Sequence, residues 1–334
     1  IAAVESVRLI RALRRLGATV QPWLSPGAEQ FITPLAVEWA ADQPAVTRFS
    51  GRQSHVATGD ACLVMPMSAN FQAGLVAGEA HHPALALALS YSGTDRPRIA
   101  VTTMHSSMAT ALATQDNQFR LQDMGWQLLA PRLEEGKHKI PDPDTLADMV
   151  SHRINHRRDR VVLTMGGNHN PIDSVRGVAN YSSGGLGTAI CQELYRRGWQ
   201  VDVICGTAQV KPKLYQKLSD APSFPEMAQA IAAAKSESYQ SVIFAAAVAD
   251  YLPVIDSQQA VSGKVRSGAN DLSITMEPTA KLISQIAPVP GGTKVGFKLE
   301  PGLVSETQAQ QLARDYCQRY GLTMLVVNGK DDVS

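Results

Sequence analysis

The chain has 334 residues, with 31 basic and 30 acidic side chains and a net charge of +1 at neutral pH. That length suggests about two domains, each large enough to bury its own core, and the balanced charge leaves no basic footprint for nucleic acid. No apolar run approaches the ~20 residues of a membrane span, no secretory leader is expected ahead of the first helix, and Cys62, Cys191, Cys205 and Cys317 lack any metal-binding spacing. A soluble, cytoplasmic protein is expected.

Val4, Val7, Ile10, Leu13 and Leu16 fall near one face of a first helix that Gly17 stops. An α/β unit ordinarily opens with a strand, so that strand and its loop are expected to be missing here. The pattern then alternates. A strand is predicted over Ala18–Leu24, a helix over Gly27–Ala40, a buried strand over Ala61–Met65, a helix over Phe71–Ser90, and a strand over Arg98–Thr102. A helix over Ser107–Met124 and a strand over Trp126–Leu129 complete a doubly wound unit. Its strand-end loops, where such sheets bind ligands, are Ser25-Pro26-Gly27, Pro66 to Asn70 and Thr102 to His105. Ser68 and Asn70 can hydrogen-bond a polar ring or a phosphate, or Ser68 can simply cap the next helix.

Ile140-Pro141-Asp142-Pro143 breaks the chain, and the helix after it ends in a basic run read as a solvated terminus. The domains are expected to span residues 1–150 and 151–334. In the second, a strand at Val161–Leu163 runs into Gly166-Gly167, and Ser182-Ser183-Gly184-Gly185-Leu186-Gly187 precedes a helix over Thr188–Arg197. Glycines before a helix N-terminus make a phosphate cradle. Residues 168–181 are a long insertion for a dinucleotide turn, and the next strand, Val201–Ile204, ends in Cys205-Gly206-Thr207 without the acid that holds a ribose. A nucleotide is therefore favoured over NAD(P). A helix over Pro225–Lys235 leads to a strand over Ser241–Ala245, and Ala245 to Tyr251 brings small residues and Asp250 to a strand end, where a carboxylate can hold a ribose hydroxyl or magnesium. Gly263-Lys264-Val265-Arg266, a short strand over Leu272–Met276, Lys298 at the end of a strand over Lys294–Glu300, and Asn328 after the final strand, Thr323–Val327, complete the crevice. Lys264, Arg266 and Lys298 also read as surface charges, and Phe297 as core. The C-terminus is expected to be cut short.

These residues resemble a known family, the bifunctional phosphopantothenoylcysteine decarboxylase/phosphopantothenate-cysteine ligases of coenzyme A biosynthesis. The family's GGTxExID, VR, N and SSG pattern appears as Gly166-Gly167-Asn168-His169-Asn170-Pro171-Ile172-Asp173, Val175-Arg176, Asn180 and Ser182-Ser183-Gly184, with AAAVADY at 245–251 and VGF at 295–297. The resemblance covers nearly the whole chain and implies two Rossmann-like doubly wound domains, a flavodoxin-like flavoprotein domain followed by a nucleotide-binding ligase domain. The ligase would activate 4'-phosphopantothenate with CTP or ATP and magnesium, and then join it to cysteine. In that frame Gly166, Gly167, Ser182, Ser183, Gly184, Ala245, Ala246, Asp250, Lys264, Ala280, Lys281, Phe297 and Lys298 contact the nucleotide, and Asp250 also serves the metal. Asn180, Arg176 and Asn328 contact the substrate, with Asn180 and Lys264 catalytic. Lysines usual on the helix before the last strand are replaced by Arg314 and Arg319, and KxKK is reduced to Lys264-Val265-Arg266-Ser267.

In the first half the resemblance implies FMN, contacted by Ser25, Phe31, Pro66, Ser68, Asn70 and Met104, with His55 catalytic. The family's PAMN reads Thr102-Thr103-Met104-His105, and the lid that supplies an acid cysteine reads Glu134 to Lys139 without one; His138 is read as a solvated loop residue. Decarboxylation is therefore expected to be impaired. The resemblance also implies a homo-oligomer, with dimeric ligase and trimeric flavin domains. The reduced lysine loop and the asparagines at 168 and 170 favour a second reading, a non-catalytic nucleotide- or flavin-binding scaffold. An NAD(P) oxidoreductase is disfavoured by the long insertion.

Overall fold

The computed structural model describes residues 2–51, 56–134, 137–254, 273–300 and 305–329. It has two compact units, divided between His156 and Arg157. Both are α/β with parallel sheets covered by helices.

The first unit carries the parallel sheet β1 (Cys62–Met67), β2 (Arg98–Thr102) and β4 (Trp126–Leu129), in the order β1-β2-β4. Alternation along the strands sorts the core. Ile99, Val101 and Leu129 pack with Leu9 and Leu13 of α1 (Ser6–Arg15) and with Leu146 and Val150 of α8 (Pro143–Ile154). Ala100 and Trp126 face Leu75 of α4 (Ala69–Val76), Leu85 of α5 (Pro83–Ser92) and Leu121 of α7 (Leu112–Asp123). A small antiparallel sheet joins β3 (Met104–His105), β5 (Arg132–Glu134) and β6 (Lys137–Lys139).

Four predicted elements differ from this architecture. Ala18–Leu24 forms no strand: Pro22 cannot donate to a ladder, and the segment is held to Val46 by a single bridge at Trp23. The helix expected over Gly27–Ala40 is two, α2 (Pro26–Glu29) and α3 (Pro34–Ala41), because Thr33 caps the second and Pro34 starts it. Phe71–Ser90 likewise divides into α4 and α5, with Gly78 at φ +74° and the His82 ring accepting from the Leu85 N–H at 3.1 Å. Ser107–Met124 is split into α6 (Ser106–Ala109) and α7.

The second unit has a six-stranded parallel sheet in the order β11-β10-β7-β12-β15-β16. These strands are β7 (Arg160–Met165), β10 (Gln200–Cys205), β11 (Lys217–Asp220), β12 (Ser241–Phe244), β15 (Thr293–Leu299) and β16 (Met324–Asn328). Period-two alternation again assigns the faces. Val161, Leu163 and Met165 pack with Cys191 of α9 (Gly185–Arg196), while Val162, Ile204 and Val242 pack with Met227 and Ile231 of α10 (Phe224–Ala234). Consecutive strands depart from β7 in opposite directions, to β10 on one side and β12 on the other. The carboxyl end of β7 is thus the switch point at which such sheets bind ligands. Two ribbons flank it, β8 (His169–Pro171) with β9 (Gly177–Ala179), and β13 (Tyr251–Pro253) with β14 (Met276–Pro278). The helix before β16 is α11 (Glu306–Tyr320). No helix among the described residues is long and apolar enough to cross a membrane.

In the first unit Gln72 is 0% exposed, and neither end of its amide has a hydrogen-bond partner. Burying such a group costs free energy that an apolar side chain of similar size avoids. Gln72→Leu is therefore expected to raise the unfolding free energy of this unit by about 1–3 kcal/mol in urea titration; an unchanged or lowered midpoint would show that the amide is satisfied.

Candidate functional site

The site in the second unit is built on backbone contacts that glycine permits. Gly166 turns at φ +76°, and the Gly167 N–H donates to the Thr207 carbonyl at 2.9 Å while the Thr207 N–H returns a bond to the Gly167 carbonyl at 2.8 Å. The Ala247 N–H donates to the Gly166 carbonyl at 2.8 Å. A Cβ on Gly167 would collide with the Asn180 carbonyl. The loops after β7, β10 and β12 are thereby sealed edge to edge.

Ser182, Ser183 and Gly184 follow. The Ser182 hydroxyl accepts from the Gly184 N–H at 3.3 Å, and the Ser183 hydroxyl from the Gly185 N–H at 3.2 Å. The Ser183 carbonyl accepts from the Gln209 and Val210 N–H groups at 3.1 and 2.9 Å. Gly184 is the N-cap of α9 at φ +81°, and a Cβ there would meet the Val210 carbonyl and Ala208. Gly187, one turn later, lets α9 lie directly on Met165. No side chain caps this helix start, so its N–H groups and the positive end of its dipole suit an anion.

Asn180 is fixed through its backbone, its N–H donating to the Asn168 carbonyl at 2.9 Å. Arg176 lies at the tip of the β8–β9 hairpin, its Nε donating to the Asp173 carboxylate at 3.1 Å. Ala245 continues β12, its N–H donating to the Thr164 carbonyl at 3.0 Å. Asp250 is held on both sides: the Thr279 hydroxyl donates to the Ala249 carbonyl at 2.8 Å and the Thr279 N–H to the Asp250 carbonyl at 2.9 Å. Its carboxylate is ion-paired with Lys281, and that hydrogen bond holds the Lys281 ammonium above the ordinary lysine range. Ala246 and Ala280 are small neighbours on these same segments.

Phe297 is half-buried against the core cluster that contains Met165. Lys298 stands beyond it on β15, its amine 5.9 Å from the Tyr316 ring centre and 3.8 Å from Glu300. Asn328, on edge strand β16, accepts the Glu300 N–H through its carbonyl at 2.9 Å. The structure thus joins the 166–180 segment to 245–249 by direct hydrogen bonds, with 279–281 bonded to 249–250, and leaves Lys298 and Asn328 on the outer strands with partners of their own. Lys264, with Arg266, and His55 lie outside the described residues. Burial pushes the Cys191 thiol up to about 12 and raises that of Cys205, so neither is a ready nucleophile.

Sequence reasoning took Asn168 and Asn170 only as departures from the family pattern and passed over Thr279. Asn168 is 0% exposed, and its side-chain oxygen accepts from the Ala249 N–H at 3.1 Å. Asn170 is 3% exposed, and its oxygen accepts from the Phe224 N–H at the start of α10, at 2.9 Å. Asparagine directly after a glycine pair was the available signal. Thr279 offered none.

In the first unit Ser68 and Asn70 follow β1, and Met104 follows the neighbouring β2. The Ser68 hydroxyl accepts from the Phe71 N–H and that of Ser25 from the Ala28 N–H, each at 3.3 Å, which leaves both hydroxyl protons free to donate. Pro66 is half-buried near the end of β1, Asn70 is exposed and Phe31 is 56% exposed. Ser68, Asn70 and Met104 thus share the carboxyl edge of β1 and β2. His105 uses its Nδ1 locally, within 2.8 Å of the Ser107 hydroxyl.

A family model described as flavoprotein matches residues 1–155, and one described as DNA/pantothenate metabolism flavoprotein C-terminal domain matches residues 156–333. The coenzyme A biosynthesis bifunctional protein CoaBC of Thermococcus kodakarensis is 32% identical, over 98% of this chain and 82% of its own length. The Haemophilus influenzae CoaBC is 29% identical, over 98% of this chain and 84% of its own. The crystal structure of the DNA/pantothenate metabolism flavoprotein from Streptococcus pneumoniae is similar at 23% identity and a TM-score of 0.46, over 53% of this chain and 84% of that one. The chain belongs to the CoaBC family of coenzyme A biosynthesis bifunctional proteins.

Proposed function

We propose that the second unit ligates 4'-phosphopantothenate to cysteine at the expense of a nucleoside triphosphate, with CTP as the nucleotide. The observation that carries this reading is the N-terminus of α9 at Gly184, held by hydrogen bonds to the 209–210 loop at the switch point of the sheet, where Asn168 bonds both the Asn180 and the Ala249 N–H groups. In the first step a carboxylate oxygen of phosphopantothenate attacks the α-phosphorus, forming an acyl-cytidylate and releasing pyrophosphate. In the second the cysteine amine attacks the acyl carbon, CMP leaves with the bonding pair, and the amine loses a proton to solvent.

The roles follow from position. The Leu186 and Gly187 N–H groups, with the Ser182 and Ser183 hydroxyls that accept from the Gly184 and Gly185 N–H groups, are assigned to the negative phosphates, whose charge is redistributed as the bond to pyrophosphate breaks. Asn180 orients the acyl group, and Arg176, if released from Asp173, meets the substrate phosphate. Ala245, Ala246 and Ala280 leave room for the nucleoside, with Phe297 beside it. Lys264 is assigned the charge-neutralising role by the family pattern.

Asp250 is a single carboxylate already paired with Lys281, and among the described residues no group of three His, Cys, Asp or Glu could hold a metal. Magnesium is commonly held by one or two carboxylates together with substrate phosphates, so Asp250 fits it only in the nucleotide complex. There the cation would offset phosphate charge.

The first unit is proposed to hold FMN through Ser25, Phe31, Pro66, Ser68, Asn70 and Met104. When bound, FMN supplies the oxidation of the cysteinyl thiol that precedes loss of carbon dioxide. His105 stands where the family's carboxylate-binding asparagine does, and no cysteine stands on the segment 134–139 to return a proton. Decarboxylation is proposed to be impaired, and the chain to act as a homo-oligomer.

Pyrophosphate release that requires both CTP and phosphopantothenate, and that stops on chelation with EDTA, is the expected result with the full chain. Release with ATP alone would reassign the nucleotide, and no release with either would remove the ligase reading. Gly184→Ala places a Cβ against the Val210 carbonyl at a positive φ, so the KM for the nucleotide is expected to rise at least ~10-fold. An unchanged KM would dissociate the helix start from the phosphates. After reconstitution with FMN, phosphopantothenoylcysteine should yield no carbon dioxide above background; its steady evolution would show a working decarboxylase.

A further inference from the structure

Asn168 stands where the family pattern has threonine, a departure that on sequence alone favours a decayed site. Its surroundings point the other way. Asn168 is 0% exposed, so it touches no ligand, yet every polar group it has except its amide nitrogen is bonded to a segment of the crevice. Its N–H donates to the Ala247 carbonyl at 3.3 Å, its carbonyl accepts from the Asn180 N–H at 2.9 Å, and its side-chain oxygen accepts from the Ala249 N–H at 3.1 Å. The side-chain nitrogen lies 3.8 Å from the Met227 sulfur on α10. Ala249, 3% exposed, has no water to replace that acceptor, and it directly precedes Asp250.

We propose that Asn168 is a positioning residue that sets Asn180 and Asp250 in register across the crevice, through its backbone carbonyl on one side and its side-chain oxygen on the other. The threonine-to-asparagine change then represents a working local solution rather than erosion. The kinetic part of this inference rests on the ligase reading above; the structural part does not.

Two variants separate the bond from the packing. Asn168→Ala removes the side-chain amide and opens space, whereas Asn168→Leu keeps the volume beside Met227 while removing the acceptor and the weak contact of the side-chain nitrogen with the Met227 sulfur. Hydrogen exchange on the full chain is expected to accelerate at least ~10-fold at Ala249 and Asp250 and at Asn180 in Asn168→Leu, with β10 unchanged. Unaltered exchange at those positions would overturn the proposal whether or not the chain is active. In pyrophosphate release, kcat should fall at least ~10-fold with the nucleotide KM changed less than ~3-fold, and Asn180→Ala should cost little more in the Asn168→Leu background than alone. Additive losses, or a fall that tracks the unfolded fraction, would make Asn168 merely structural. An inactive wild-type chain would sink the ligase reading and leave the exchange result to decide the role of Asn168.

Discussion

The second unit depends on the close approach of three backbones at Gly166-Gly167. Parallel strands diverge at their carboxyl ends because each must turn into its own helix, and the gap between them ordinarily becomes the ligand crevice. Here the gap is bridged before it opens: Gly167 exchanges two hydrogen bonds with Thr207, and the Gly166 carbonyl takes the Ala247 N–H. Only a residue without Cβ permits this at 167, where the Asn180 carbonyl lies against the α-carbon. The floor of the crevice is therefore a continuous hydrogen-bonded layer, and the segments above it inherit their positions from it.

That constraint explains why buried asparagines, rather than apolar residues, lie next to it. A chain leaving the sheet at Gly167 carries peptide groups that β-pairing no longer satisfies, and the neighbouring chain at 247–249 has the same shortage. Asn168 and Asn170 each offer an oxygen at the point of need, one to Ala249 and one to the start of α10. The match is incomplete, since the Asn170 side-chain nitrogen is buried without a partner. A residual cost of this kind is a common companion of sites whose geometry is set by something other than stability.

Much of the fold was legible in the sequence because the strands are short apolar runs between glycine and proline signals. Arg98–Thr102 and Trp126–Leu129 have the predicted limits, and the glycines at 184–187 mark the start of α9. The misreadings share a physical origin. Thr33-Pro34 and His82-Pro83 are capped helix starts placed inside apolar runs, so hydrophobic content continued where the helix did not. The β8–β9 hairpin was invisible because its pairing is polar and its tip is held by Asp173 and Arg176, with little apolar alternation to reveal it. In the site, the residue types proposed to meet phosphate were readable, but the partners that fix them were not. Thr279 lies 29 positions beyond Asp250 in the chain, and nothing local in the sequence pairs the two.

The two ends of the same sheet handle polarity in opposite ways. At the amino ends, the carboxylate of Asp202, 4% exposed, meets the Arg160 guanidinium at 2.7 Å and the Tyr239 hydroxyl at 2.8 Å, and Arg160 stacks on the Tyr239 ring with its charge centre 5.0 Å from the ring centre. Burial and the adjacent carboxylate raise the Tyr239 phenol, so it stays a hydrogen donor at every physiological pH. Removing one partner from such a cluster strands a buried charge, at a cost of about 3–5 kcal/mol. This ionic cluster lies at the end of the sheet away from the crevice. At the carboxyl ends the bonds that join the loops are neutral peptide and amide bonds, with the Asp250–Lys281 ion pair beside them, and the first N–H groups of α9 meet the Ser182 and Ser183 hydroxyls. For the triphosphate proposed above, neutral, pre-aligned donors are suited because they keep their orientation as charge moves during reaction.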